Sequence, residues 1–173
     1  MDTTMTEPRI DRGSTQTTAI YSIGGNLYFE RTFDAPRDRV WRAFTDPEIV
    51  PRWWGKHGTT TVVEQMDVRV GGEWRYVSHA DDREPVTFYG QYLEIQEPAR
   101  FRWTFLFDVP GVGAQGGPET HTFEDLGGRT HVRSVGEMGS AAEIEAAIAV
   151  GMIEGGLQLW DRLADLLAEG GDR

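Results

Sequence analysis

The chain has no cysteine. Disulfide frameworks, thiolate metal sites and cysteine nucleophiles are therefore excluded. Cationic residues are also scarce, with 17 Lys and Arg against 28 Asp and Glu and a net charge of −11. Nucleic acid and anionic membranes are bound through basic patches that displace counterions, and no Lys/Arg cluster is present to supply one. No window approaches the roughly eighteen apolar residues of a membrane helix. The opening residues, MDTTMTEPRIDRGSTQTT, lack the apolar centre of a secretory signal. The sequence thus reads as soluble and untargeted, with a cytoplasmic location expected. Residues 1–18 hold too few apolar side chains to offset ordering entropy and are expected to form a flexible polar tail. That leaves 19–170 as a single domain, long enough for a real core.

Aromatic residues are plentiful: six Trp, eight Phe and five Tyr. They supply either a core or the walls of a ligand cavity. Ala19 to Phe33 has strand alternation, interrupted at Gly24-Gly25 by a bulge or by the true start of the strand. Asp34-Ala35-Pro36 and Thr45-Asp46-Pro47-Glu48 are two successive helix starts, so two short helices are expected, the first offering Val40, Trp41 and Phe44 to the interior. From Thr59 to Met138, six β-rich runs are separated by turn residues, which is the punctuation of an antiparallel meander. Asp125-Leu126-Gly127-Gly128-Arg129 is a hairpin signal. A two-residue turn there puts His121, Phe123, Thr130, Val132 and Ser134 on one face and Glu124, His131 and Arg133 on the other. The end of the chain reads as one amphipathic helix from Ala141 to about Glu169, with Ser140 and Glu143 as a capping box and Ile144, Ile148, Met152, Gly155, Leu159, Leu163 and Leu166 on its apolar stripe. Gly151, Gly155 and Gly156 weaken that helix and imply close backbone approach or open space beneath it.

The runs Phe33-Asp34-Ala35-Pro36, Val40-Trp41-Arg42-Ala43-Phe44-Thr45-Asp46-Pro47 and Arg52-Trp53-Trp54-Gly55 resemble the start of the SRPBCC (START-like, birch-allergen-like) superfamily. Gly71-Gly72-Glu73-Trp74-Arg75-Tyr76, Gly90 to Ile95, Thr122 to Asp125 and Trp160 to Ala164 continue the match. They are similar to its branch of heat-shock-protein-90 ATPase activator homologues. The resemblance implies an α+β helix-grip fold: a curved antiparallel sheet of six to seven strands around the long C-terminal helix, two short helices after the first strand, and an apolar cavity between sheet and helix. The eukaryotic activator is similar to this chain only in its C-terminal part, so a chaperone partner is not expected.

The candidate cavity residues are Trp53, Trp54, Trp74, Tyr76, Phe88, Tyr92, Trp103, Phe105, His121 and Phe123, with Met152, Gly155 and Leu159 from the helix. Each taken singly also serves as core filling. Within VPRWWGKHG (Val50 to Gly58), Trp53 is expected as an inward plug and Trp54 is expected to face the cavity mouth or a partner. His121, His57 and Tyr76 are the candidate proton-transfer groups. His79 is expected at the rim and His131 in solvent. No metal-ligand spacing, P-loop, nucleophile elbow or serine–histidine pairing is visible, so neither cofactor nor metal is expected. The Gly-rich stretch within 108–118 is expected to be a mobile loop at the cavity edge. These features favour a binding module for an apolar, aromatic or lipid-like small molecule over an enzyme. The alternative is a polyketide cyclase- or hydratase-like enzyme using the same cavity. A third reading is a co-chaperone-like or other interaction module, or a homodimer, that uses exposed aromatics such as Trp53 or Trp54.

Overall fold

The computed structural model describes residues 7–169. Its strands are β1 (Arg9–Asp11), β2 (Ala19–Ile23), β3 (Asn26–Phe33), β4 (Thr60–Met66), β5 (Glu73–Ala80), β6 (Arg83–Gln96), β7 (Arg100–Val109), β8 (Gly113–Asp125) and β9 (Thr130–Glu137). They form one sheet in the order β1-β2-β3-β9-β8-β7-β6-β5-β4, with antiparallel neighbours throughout. The helix-grip plan holds, but with nine strands among the described residues rather than six or seven. Gly24-Gly25 explains one of the additional strands: it is the turn of a hairpin that pairs Ile23 with Asn26, so the first run becomes β2 and β3. The other is β1, which lies inside the expected tail. Its residues Arg9, Ile10 and Asp11 pair with Ile23, Ser22 and Tyr21. Residues 1–6 of that tail, and residue 170 at the expected domain end, lie outside the described residues.

The Gly127-Gly128 turn forms with the register that its length dictates: Asp125 faces Thr130, and Leu126 N–H donates to the Arg129 carbonyl at 2.8 Å. His121, Phe123, Thr130, Val132 and Ser134 are accordingly all buried on one face. The stretch expected as a mobile loop is mostly β8. Phe105 pairs with Gly117 and Val109 with Gly113, because β7 continues past Phe107 and gives the glycines a partner.

Helix α1 (Arg37–Thr45) buries Val40, Trp41, Ala43 and Phe44. Its start carries no side-chain cap; Pro36, not Asp34, occupies the cap position. The second expected helix shrinks to a single 3-10 turn at Val50–Arg52. Proline at 47 explains why α1 stops at Thr45. The Ala43 carbonyl would accept from the N–H four residues on, and Pro47 has none. Trp53 Nε1–H donates to that carbonyl instead, at 2.8 Å.

The C-terminal helix is also corrected. It is two helices, α2 (Ala141–Ala149) and α3 (Met152–Ala168), separated at Val150-Gly151. Gly151 has φ +86°, a left-handed conformation that breaks a helix and suits glycine. Ser140 does cap the first, accepting from Glu143 N–H at 3.2 Å. Leu163, Leu166 and Leu167 of α3 are buried, and Trp160 meets Phe29 and Phe33 edge-on at 5.9 and 5.6 Å. Trp41 and Phe44 of α1 close the other end of the sheet through Phe101 and Phe123.

Candidate functional site

Between the concave face of the sheet and helix α3 lies a cavity of about 250 Å³. Its walls are Ser78, Ala80, Val86, Phe88, Phe105 and Phe107 from β5 to β7, and Phe29 from β3. Gly151, Met152, Gly155, Gly156, Leu159 and Trp160 form the roof. Phe44, Trp53 and Trp54 close one end, while Lys56, Arg83, Glu84 and Asp108 to Pro110 surround the other.

Both tryptophans of VPRWWGKHG are buried, at 1% and 5% exposure. Their ring contacts differ. Trp53 packs on Phe44 at 4.9 Å, whereas Trp54 sits edge-on to Tyr76, Phe88 and Trp103. The loop is fixed from two sides. Arg162 on α3 donates to the carbonyls of Gly55 (2.8 Å), Trp54 (3.2 Å) and Arg52 (3.3 Å). Thr61 Oγ1–H donates to the Trp54 carbonyl at 2.6 Å. The two rings are therefore unavailable as an exposed protein-contact patch, which removes the surface on which the interaction reading rested. Trp54 Nε1 has no hydrogen-bond partner among the described residues.

The polar floor comes from cross-strand pairs. Trp103 faces Glu119 across β7 and β8, and His121 faces Ser134 across β8 and β9. Trp103 Nε1–H donates to Glu119 Oε1 at 3.0 Å, and the same oxygen lies 2.7 Å from His121 Nε2. That approach is off the ring N–H axis, so Nε2 is left without a proper hydrogen bond. The other ring nitrogen, Nδ1, shares a 2.5 Å hydrogen bond with Ser134 Oγ, the donor being set by the tautomer. The Glu119 side chain keeps 15% exposure at the cavity wall. Burial acts to raise its pKa, but the His121 ring in contact with it and the bond from Trp103 outweigh that and hold the carboxyl below its ordinary value. The result is an ionised carboxylate, a histidine and a serine side by side in an aromatic cavity. Such a set can accept from a ligand hydroxyl, donate to a ligand carbonyl, or move a proton.

Residues 34–168 match the family model described as "Activator of Hsp90 ATPase homolog 1-like protein". The chain belongs to this family. The fold of these activator homologues recurs in a protein from Arthrobacter aurescens, 22% identical, with 89% of this chain and 93% of that one covered and a TM-score of 0.79. It recurs in Ms6760 from Mycobacterium smegmatis, at 24% identity, 94% and 99% coverage and a TM-score of 0.75. CV1439 from Chromobacterium violaceum is 29% identical over 82% of this chain and 96% of its own, with a TM-score of 0.66. Among the curated proteins none matches. The activator-homologue fold is that of a superfamily of ligand-binding domains.

Of the cavity candidates read from the sequence, Trp53, Trp54, Phe88, Phe105, His121, Met152, Gly155 and Leu159 line the cavity. Trp74, Tyr76, Tyr92, Trp103 and Phe123 do not; they form the fully buried layer behind the wall, with Trp74 and Trp103 stacked at 4.1 Å. His57 is exposed, outside the cavity, its backbone N–H held by Gln158 at 3.0 Å. Tyr76 donates to Met66 Sδ at 3.7 Å, and burial pushes its phenol well above the ordinary pKa, which keeps it from serving as a base. His79 is exposed. His131 lies on the outer face as expected, but it is tied to Thr32 and Glu30 at 3.0 Å each. A serine–histidine pairing does exist, contrary to the sequence reading. The one signal for it was the Gly-Gly register, which sets Ser134 opposite His121. Glu119 was missed because Pro118 and its glycines obscured the start of β8; continuing the alternation Phe123, His121 one step back would have found it. The helix glycines serve both expected purposes. A Cβ on Gly156 would meet the Phe29 ring at 3.0 Å, whereas one on Gly155 would meet only the Lys56 stem, at 3.4 Å. Among the described residues no group of three His, Asp or Glu is placed to hold a metal ion, and no helix is long and apolar enough to cross a membrane.

Proposed function

We propose that this activator homologue is a binding domain that encloses a small apolar or aromatic molecule between the sheet and α3. The supporting observation is a cavity walled by aromatic rings with one polar corner, Glu119, His121 and Ser134, in its lining. A ligand with a flat apolar body and one polar end fills that space and meets that corner. Engineered apolar cavities of about 150 Å³ take benzene, so the volume here suits a molecule of about two fused rings. Titration with naphthalene and 2-naphthalenemethanol, followed by tryptophan fluorescence and amide NMR, tests the reading. Saturable shifts at Trp54, His121 and Leu159 that vanish in Ala80→Trp, which fills the cavity, are expected. An absence of saturable binding refutes it.

Glu119, His121 and Ser134 support a second reading, an enzyme of the cyclase or hydratase type. The ionised Glu119, held in place by His121 and Trp103, would take a proton from an acidic carbon of a bound ketone, leave the enolate, and return a proton to the same carbon. Deuterium exchange into 2-tetralone is the test. Catalysed exchange that Glu119→Gln abolishes supports it, and exchange at the buffer rate refutes it.

A further inference from the structure

The sequence uses lysine once. Sixteen of its seventeen Lys and Arg side chains are arginine, and the exception, Lys56, is at the cavity. Its surroundings are specific. The residue is half-buried and follows Gly55 in the loop that Arg162 and Thr61 hold in place. Its side chain runs across the corner between α2 and α3, in the trough left by two glycines. A Cβ on Gly155 would lie 3.4 Å from Lys56 Cε, and one on Gly151 would lie 3.7 Å from Nζ. Both distances are those of ordinary van der Waals contact, so the stem lies directly over the two glycines. Among the described residues Lys56 makes no ion pair and no side-chain hydrogen bond, although the chain carries 28 acids. The other charges at the mouth are occupied or face outward: Arg83 is beside Asp82 at 3.4 Å, Asp108 accepts from Tyr89 at 3.1 Å, and Glu84 is exposed. A half-buried ammonium with its head unpaired, at the mouth of a largely aromatic cavity, lacks one partner: an anion.

We infer that the molecule held in this cavity is an organic acid, with its flat apolar body among Phe88, Phe105, Trp53 and Trp54 and its carboxylate on Lys56 Nζ. The inference rests on the binding function proposed above and specifies the ligand's class. The choice of anion over cation follows from the two ends of the cavity. The deep end already holds a negative charge, Glu119, satisfied by His121 and Trp103; the mouth holds the unsatisfied positive one. A lysine also suits a single point contact with a carboxylate oxygen.

Three probes of equal shape separate the alternatives: 2-naphthoate, neutral 2-naphthalenemethanol and cationic 2-naphthylmethylammonium, each titrated by calorimetry into the intact protein. A charge-assisted hydrogen bond at a half-buried site predicts that naphthoate binds about tenfold tighter than the alcohol, and that raised salt weakens only the anion. In Lys56→Met, which keeps the stem, naphthoate falls to the affinity of the alcohol while the alcohol is unchanged; Lys56→Arg restores only part of the difference. Equal affinity for anion and alcohol, a preference for the ammonium, or an equal loss of both ligands in Lys56→Met overturns the inference while leaving the cavity reading intact. Failure of all three probes to bind overturns both.

Discussion

Trp53 and Trp54 are adjacent, buried and of one residue type, yet the same substitution, Trp→Phe, should have different consequences at the two positions. Trimming an indole to a phenyl removes on the order of 50 Å² of buried apolar surface, about 1.3 kcal/mol at 25 cal/mol/Å². At Trp53 the change also removes the N–H that satisfies the Ala43 carbonyl, and Pro47 offers no replacement. A buried carbonyl left without a donor adds about 1.5 kcal/mol, so Trp53→Phe should cost about 3 kcal/mol. At Trp54 the lost N–H has no partner, and removing it returns about 1 kcal/mol. Trp54→Phe should therefore fall within about 0.5 kcal/mol of the wild type. For urea slopes of about 2 kcal/mol/M the two midpoints would differ by about 1 M. Equal destabilisation of the two variants would refute the reasoning. It would mean that Trp54 Nε1 is already paired, by an ordered water.

Glu119→Gln tests the ionised carboxylate. The folded-state pKa lies below the ordinary 4.5, so the charge contributes stability above that pH and the contribution is lost as pH falls through the folded value. The variant should lose about 1–2 kcal/mol at pH 7 and show a flatter loss of stability on acidification below about pH 4.5 in urea melts; an unchanged acid limb counts against the assignment. Arg162→Met removes the donor to three loop carbonyls and should cost about 2 kcal/mol, with amide exchange rising across residues 52–59. Protection unchanged there would show that Thr61 alone holds the loop.

The outline of the domain was legible because its signals are local. The Gly127-Gly128 turn set a register that carried through to Thr130, Val132 and Ser134, and Ser140 announced a helix start. Less legible was anything decided by a distant partner. β1 has no strong pattern and becomes a strand only because β2 offers it an edge. Val150-Gly151 breaks the helix, although the stripe from Ile144 to Leu166 reads through it without a flaw. A glycine is tolerable in a helix on propensity alone, and only the packing of α3, through Trp160, on Phe29 and Phe33 requires the bend. The polar floor was half legible. His121 was placed on the inner face, whereas the carboxylate beside it belonged to a segment whose composition resembles a loop.

The strand order has a consequence for how the chain finds this structure. Every adjacent pair in the sheet is also consecutive in sequence except β3 and β9. Hairpins can therefore form independently along the chain, each closing only a short loop, until the pairing of Asn26 to Phe33 with Glu137 to Thr130 remains. That step closes a loop of about a hundred residues, at an entropic cost of about 4 kcal/mol by the logarithmic law. It also joins the hairpin β2–β3 to the meander and sets Phe29 beside Ser134. Because Phe29 meets α3 and Ser134 meets His121, the cavity does not exist before this pairing forms. Conservative truncations in β3 and β9 should accordingly report on the slow step, with φ-values higher there than in the β5–β6 hairpin.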